Sequence, residues 1–458
     1  MKNIIRNIWK DKAFLTTLIT LAIPITLQNF ITSSLNLVDN LMIGKLGETA
    51  IAAVGLANQY FFVFMLCLAG INAGANVFMA QYWGKKDIGN VKKMLGIDLS
   101  VGFVATLIFG IAGLLFPEQI MGILSKDTEV IRLGAEYMRI VSISTIVANI
   151  TQAYSTALRS TGQPKLPMLA SLLGVLTNAF LNWVLIFGNL GATAFGVQGA
   201  AIATTIARVV EMLVVLGAVY GKNNIVKTSL KSLFDFNRMD LKRYFHVSTS
   251  AILNELVWAL GMTAFSMSYA KISTEAVATM QIATTLSNMF IVFGIGIAVS
   301  ASIMIGNKIG SNEEETAHDY SLKIGILAPL VGFILGFLIW ILAPVIAGLF
   351  EIEAATLAST VTVLRIMGLF SPLRFFTMVM IIGVFRGGGD TRYTTRLQFC
   401  TVWLFAVPLA FLAAGPLHFT VEAVYFCVCC EELIKILFVL RRLKSQKWLS
   451  NVVDEVMA

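Results

Sequence analysis

The sequence predicts an all-α polytopic membrane protein whose twelve transmembrane helices form two pseudo-symmetric six-helix lobes. Three observations carry that expectation. Hydrophobic residues make up 57% of the 458 and charged ones only 13%, with a mean hydropathy of +0.80, whereas a soluble domain carries roughly 25% charged residues. The apolar residues come in blocks of about twenty or more, which is what a helix needs to cross a hydrocarbon core of about 30 Å. Finally, the first half of the chain recurs in the second, and such repeats organise long helical proteins.

Taken in order, the apolar runs are set off by Gly, Pro and charged breaks. Span 1 covers 14–42 and ends in "SSLNLVDNLMIGKLG"; span 2 covers 48–80 and closes on the basic "GKKDIGNVKK". Span 3 (94–116) runs out before Lys126, span 4 (130–157) ends at "LRSTGQPK", and span 5 (166–188) at "GNLGATAFG". Span 6 (195–219) leads into the longest polar connection, 220–245. Spans 7 to 12 then fall at 246–270, 276–306, 320–348, 356–385, 394–414 and 418–440. Lys271, "GNKIGSNE", "EIEAAT", "FRGGGDTR" and "GPLHF" separate them. The expected organisation is an N-tail (1–13), an N-lobe (14–219), a linker (220–245), a C-lobe (246–442) and a C-tail (443–458). The basic N-tail runs straight into span 1 without a small-residue cleavage site, so that span is expected to stay.

Orientation follows from the basic residues. The two tails, the linker and the turns after spans 2, 4, 8 and 10 carry 25 of the 34 Lys and Arg, while the opposite turns carry 4: Lys45, Lys126, Arg132 and Lys271. By the positive-inside rule both termini are expected to be cytoplasmic, in a multi-pass protein of the cell membrane. The net charge of +8 therefore reflects topology and does not imply a nucleic-acid partner, because the cations gather on no soluble face.

The repeat is free of gaps over its longest stretch. "ETAIAAVGLANQYFFVFMLCLAGINAGANVFMAQYWGKKD" at 48 aligns with "TEAVATMQIATTLSNMFIVFGIGIAVSASIMIGNKIGSNE" at 274, an offset of 226. It pairs Ala50 with Ala276, Gly70 with Gly296, Ala75 with Ala301 and Gly84 with Gly310. The turns "LRSTGQPK" and "FRGGGDTR" match at 227 through Arg159 and Arg386. Six spans per half is an even number, so the halves insert in the same orientation, and transporters built from such repeats bind substrate near the midplane.

Polar groups inside spans are costly and default to functional-site candidates. In span 1, Gln28, Thr32, Asn36 and Asp39 or Asn40 recur at three- and four-residue spacing and share one helix face. Asp39 lies 25 residues beyond Phe14, roughly 37 Å along a straight helix, which places it in the outer half. Pro24, below the stripe, removes a backbone hydrogen bond and offers a hinge. Asn178 and Asn182 share a face of span 5, and span 6 offers Thr204 and Thr205; read alone, these are cation ligands or interhelical glue. Arg208 and Glu211, three apart, read as an ion pair. Span 7 contributes Asn254 and Glu255. Glu431, Glu432 and Lys435 of span 12 can pair with one another.

No enzyme constellation is present. A phosphate-binding loop with Lys and Ser or Thr is missing, and "GVFRGGGDTR" follows a membrane span instead of a strand. The three histidines are scattered, and the five cysteines all sit in apolar runs where they behave as small hydrophobes, so neither a disulfide framework nor a metal site beyond sodium at Asp39 is expected. The chain is not expected to be an enzyme. Energy must come from an ion gradient.

"VDNLMIGKLGETAIAAVGLANQ", "AGANVFMAQYWGKKD", "ALRSTGQPKLPM", "GVQGAAIATTIAR" and "FRGGGDTRY" resemble the multidrug and toxic compound extrusion (MATE) family, in its bacterial NorM- and DinF-like branches. The likeness spans Pro24 to the "KWL" of Lys447 to Leu449. It implies secondary active multidrug efflux, in which cationic amphipathic compounds leave in exchange for protons or sodium ions, with no other cofactor and a monomeric chain. Carried onto this sequence, it assigns cation coupling to Asp39, Asn178, Asn182 and Thr204, bending to Pro24, and substrate or ion binding in the C-lobe to Glu255 and Asn254. Relatives with a helix-10 acid carry it where this chain has Phe375. The wider superfamily supplies an alternative, a lipid-linked precursor flippase, for which Arg365 and Arg374 would be the cavity cations.

Overall fold

The computed structural model describes residues 8–221, 224–348, 350 and 352–454, apart from the side chains of Asn36, Leu37 and Leu230. The twelve spans are helical rods. α1 is Lys12–Gly44, α2 Glu48–Gly84, α3 Ile88–Leu115, α4 Thr128–Ser160, α5 Lys165–Phe187 and α6 Gly196–Gly221. α7 is Arg238–Ala270, α8 Thr274–Gly310, α9 Glu314–Ala347, α10 Ala354–Phe385 and α11 Thr391–Ala414; α12 joins Val421–Cys429 to Glu431–Ser445.

Among the described residues, nine of these rods are long and apolar enough to cross a membrane by length and composition. The other three show why they fall short. α4 is rich in Ser, Thr and Asn, α7 opens on "RMDLKRYFH", and α12 is interrupted at Cys430, with Glu431 and Glu432 following. Turn residues fix several ends. Asp87 and Asp127 cap α3 and α4 by accepting from backbone N–H groups, and Ser273 does the same for α8, each satisfying a donor the first turn leaves free.

Contacts gather the rods into two units that do not divide at the 220–245 connection. One is Leu27–Ile252; the other takes the chain up to Thr26 and from Leu253 onward. These units differ in extent from the lobes expected at 14–219 and 246–442: the first half of α1 groups with the C-lobe helices and the first half of α7 with the N-lobe helices. Close helix contact explains both placements. In the N-lobe a Cβ on Gly70 would stand 2.6 Å from the Ile252 Cα, and one on Gly74 2.7 Å from the Ser248 Cα. In the C-lobe, Phe14, Leu18, Leu21 and Ile25 are buried in one cluster with residues of α8, α9 and α10, and Thr26 fills the space a Cβ on Gly296 would need.

Over its described residues, the stretch expected as a C-tail is a docked segment. Trp448 is fully buried with its ring 6.1 Å from Phe385. Ser450 donates its N–H to the Gly388 carbonyl at 2.9 Å, and Arg442 pairs with Asp390 at 2.6 Å. The glycines of "FRGGGD" make room for it. Gly389 has φ +86°, and a Cβ there would meet Val452 at 2.7 Å. That backbone conformation suits glycine alone.

Candidate functional site

The N-lobe joins four of the sequence-predicted residues in one chain of hydrogen bonds. Asp39 lies near the end of α1; α5 carries Asn178 and Asn182 one turn apart, so both side chains face the same neighbour. Asn182 Nδ2 donates to Asp39 Oδ1 at 2.5 Å and to Asn178 Oδ1 at 2.8 Å, and Asn178 Nδ2 donates to Thr204 Oγ1 of α6 at 3.2 Å. Asn178 and Asn182 are 1% and 0% exposed, while Asp39 is half-buried. Asn182 Oδ1 is buried and has no hydrogen-bond partner, an arrangement that costs about 1–3 kcal/mol wherever nothing else meets the oxygen. Carboxylate, amide and hydroxyl oxygens are what a hard cation binds, so this donor set fits a proton or a sodium ion at Asp39.

A second chain runs beneath it. Gln28 Nε2 donates to Ser171 Oγ at 2.9 Å, and Ser171 donates to Glu211 at 2.5 Å. The expected Arg208–Glu211 ion pair does not form among the described residues: Arg208 Nη1 instead donates to Ser144 of α4 at 2.8 Å. From there its charge acts on Tyr137, Glu211 and Asp39 through space. Three-residue spacing put Arg208 and Glu211 on one face, but each found a partner on a neighbouring helix.

The remaining predicted residues spread out. Thr32 is exposed and hydrogen-bonds back to the Gln28 carbonyl at 3.0 Å, outside the Asp39 chain. The Asn36 side chain lies outside the described residues. Pro24 is buried within the continuous helix α1, two residues before the point where that helix passes from one unit to the other. Thr205 reaches the Ile140 carbonyl of α4 at 3.4 Å, an interhelical contact.

In the C-lobe, Glu255 and Asn254 both meet Arg386, while Asn254 Nδ2 has no hydrogen-bond partner. Arg386 of the glycine-rich turn donates to Glu255 at 3.0 Å and to Asn254 Oδ1 at 3.2 Å, and is itself 5% exposed. Phe375 fills packing space beside Gly294 of α8 and Gly332 of α9. Arg365 lies over the Trp340 ring, 5.9 Å from its centre. Arg374 reaches Ser287 at 3.4 Å and acts on Glu432 and Glu431.

Sequence reasoning missed three features. Tyr137 of α4 is buried, within 3.4 Å of Asn58, and in electrostatic reach of Arg208 and Asp39; nothing in a helix already rich in polar residues marked it out. Around the α12 break the expected pairing of Glu431 with Lys435 forms, but the partners on other helices were missed: Glu431 accepts from Thr401 at 3.0 Å, and Glu432 from Thr377 at 2.5 Å. Thr377 stands just before the π-helical turn Val379–Phe385 of α10 and Thr401 lies within that of α11, Cys400–Ala406, a distortion frequent at functional sites. The third is Asp98, a carboxylate inside α3 that is 1% exposed.

Comparison with known proteins gives a consistent result. The MatE family profile matches residues 24–184 and 250–412. An uncharacterized transporter, YisQ of Bacillus subtilis, is 23% identical over 447 residues, covering 96% of both chains. A probable multidrug resistance protein, NorM of Thermotoga maritima, is 24% identical over 86% of this chain and 84% of its own. A crystal structure of a MATE protein in complex with MaL6 superposes with a TM-score of 0.86 at 21% identity, covering 94% of this chain and 96% of the other.

Proposed function

Since this chain belongs to the MatE family and is a multi-pass membrane transporter, we propose that it works as a cation-coupled antiporter, exporting cationic amphipathic compounds as protons or sodium ions enter. The observation that carries this reading is the Asp39–Asn182–Asn178–Thr204 chain with its unpartnered Asn182 oxygen. The multidrug-resistance names of several relatives support the substrate class.

Asp39 as drawn is a carboxylate accepting from an amide N–H. A proton or sodium ion arriving there removes its charge, and both are better served by an acceptor than by a donor. Turning the Asn182 amide over presents Oδ1 in place of Nδ2, and that oxygen then meets the carboxyl O–H or the ion. Asn178 Oδ1 and Thr204 Oγ1 complete an all-oxygen set for sodium. Neutralising Asp39 weakens the N-lobe's attraction for a cationic compound, so that the two cargoes exclude one another. Coupling requires differential affinity of about 1–3 kcal/mol between the alternating states. Pro24, without an N–H for the Thr20 carbonyl, is the place where α1 can bend. With 25 of 34 basic residues on one face, both termini are cytoplasmic in this reading and Asp39 is reached from outside.

The flippase alternative needs cavity cations free to hold a pyrophosphate. Arg365 is engaged by a ring and Arg374 lies among carboxylates, so this chain offers it little.

Ethidium transport in inside-out vesicles, with proton and sodium gradients imposed one at a time, tests the proposal. One gradient should drive it, and Asp39→Asn should reduce that driven component by about 30-fold or more. Wild-type rates from Asp39→Asn would remove Asp39 from the coupling role.

A further inference from the structure

Asp98 belongs to none of the chains described above. It lies ten residues into α3, about 15 Å from the start of that helix, in the apolar run "MLGIDLSVG". Its Oδ2 has no hydrogen-bond partner, and among the described residues it forms no ion pair. Among the described residues, no cation of the elements around it forms an ion pair with it, Arg243 beside Tyr244 on α7 included. α7 brings Tyr244; Lys93, at the base of α3, is committed to Asp240 of α7 at 3.4 Å. α2 brings the Ile71 carbonyl and α4 the Asn149 amide, which donates to the Leu99 carbonyl at 3.1 Å.

Among the described residues, the one side-chain contact of Asp98 bears on where its proton sits. Tyr244 is fully buried and its hydroxyl lies 2.9 Å from the Ile71 carbonyl and 3.5 Å from Asp98 Oδ1. A phenol has one proton. The carbonyl has none to give, so the short contact takes the Tyr244 proton and leaves its oxygen lone pairs toward Asp98. That second contact is attractive only if Asp98 supplies an O–H. Burial argues the same way, because an unpaired carboxylate in an apolar interior costs far more than a neutral acid.

The acid sits where the first half of α7 is clamped to the N-lobe. Gly70 and Gly74 of α2 admit Ile252 and Ser248 at backbone contact, and a Cβ on Gly96 would collide with the Leu233 carbonyl of the linker. Ser248 Oγ, one turn from Tyr244, is fully buried and close to the Tyr244 hydroxyl. Lifting this segment away would wet both Ser248 and Asp98.

We propose that Asp98 is a second proton-binding site, on the face of the N-lobe that carries the basic turns: it holds its proton while the first half of α7 is docked on α2 and α3, and gives it up when that segment separates. On separation the carboxyl O–H bond breaks, the proton passes to entering water and the carboxylate remains hydrated, as an exposed Asp is at neutral pH. Docking takes the proton back. A proton-driven carrier needs such a group on its delivery side, one whose proton affinity changes with conformation. That transport role rests on the proton version of the antiport reading; the site itself rests on the Asp98, Tyr244 and Ser248 geometry.

The test pairs infrared difference spectroscopy with transport, using the purified full chain in liposomes at neutral pH. Wild type minus Asp98→Asn should show the carbonyl stretch of a protonated carboxylic acid, and Tyr244→Phe should move that band to higher wavenumber by removing the acceptor of its O–H. Asp98→Asn should bind ethidium within about twofold of wild type yet lose about tenfold in proton-driven efflux. Absence of the band overturns the site. Its presence with wild-type efflux in Asp98→Asn overturns the transport role and leaves a buried structural acid. If a proton gradient drives no efflux in wild type, the proton-driven reading and this role fall together, and the infrared band still decides the site.

Discussion

In the N-lobe, Gly70 of α2 lies against Ile252 of α7; in the C-lobe, its repeat partner Gly296 of α8 lies against Thr26 of α1. Both pairs of partners stand 226 residues apart, so the geometry that seats a borrowed half-helix in each lobe has been duplicated along with the sequence. The charges have not. Within the spans, the N-lobe's acids have neutral direct partners, Asp39 an amide, Glu211 a serine and Asp98 a tyrosine, while Asp240 at the start of α7 is paired with Lys93. The C-lobe's acids are tied to cations, Glu255 to Arg386 and Glu431 to Lys435. A carboxylate held by neutral groups can take up a proton or a small cation without breaking an ion pair. One already paired has its charge answered. Within the proposed antiport cycle, the difference places ion exchange in the N-lobe and leaves the C-lobe as its supporting frame.

The largest effect that would sharpen this contrast is on stability. Lys435→Met strips the cation from Glu431, which is 5% exposed, and should lower stability by about 3 kcal/mol. Replacing both, Lys435→Met with Glu431→Leu, should recover most of it, because what costs is the uncompensated charge. Thr204→Val in the N-lobe should cost only about 1 kcal/mol while impairing transport. Thermal unfolding in detergent alongside ethidium efflux reads both, and a Lys435→Met that unfolds like wild type while abolishing efflux would reverse the assignment.

Next in size is a paired transport measurement. Glu255→Gln should reduce coupled efflux by about threefold, well below the Asp39→Asn loss, since it loosens Arg386 without touching the exchange site. Equal losses from the two would end the claim of asymmetry.

The glycine pairs allow a finer comparison. A methyl at Gly70 meets the Ile252 backbone, with its Cα at 2.6 Å, whereas at Gly296 the nearest atom is the Thr26 hydroxyl and the backbone Cα is 3.2 Å away. A hydroxyl can rotate and a backbone cannot. Gly70→Ala should therefore cost about 2 kcal/mol and Gly296→Ala less than half of that, as thermal unfolding of the two variants would show.

Much of this was legible in the sequence, because bilayer burial writes itself into long apolar runs, and even α4, α7 and α12 were found despite their polar content. The Asp39 chain was also within reach, since four-residue spacing on α5 puts both amides on one face. Partner choice was harder to read. Nothing in the periodicity of α1 or α7 says that the first half of each packs with the other lobe, and Arg208 and Glu211 were assigned to one another because spacing reports faces and not neighbours. Asp98 was passed over for a physical reason: a span expected from residue 94 leaves it near a basic end, where an acid needs no explanation. The observed start at Ile88 puts it ten residues into the helix.

The smallest effect concerns the seat of the first half of α1. Lys323 of α9, 5% exposed, pairs with Asp11 at 2.5 Å and with Asp319 at 2.6 Å, so the C-lobe fastens its borrowed half-helix with a buried cation, where the N-lobe uses Tyr244 and Asp98 together with the pair of Asp240 and the more exposed Lys93. The hydrogen bond from Lys323 holds the Asp11 carboxyl below its ordinary value. A group depressed in the folded state stabilises above its unfolded value and loses that contribution as pH falls through the folded one. Asp11 is partly open to solvent, so its share is modest. Acidification should loosen residues 12–26 in wild type, read as faster amide exchange in that stretch, with the unfolding midpoint dropping by about 2 °C more than in Asp11→Asn. In Asp11→Asn the stretch should already exchange faster at neutral pH and respond less to acid. An identical acid response in the two proteins would show that the half-helix is held by its apolar face alone, and the contrast between the two fastenings would then rest on Asp98.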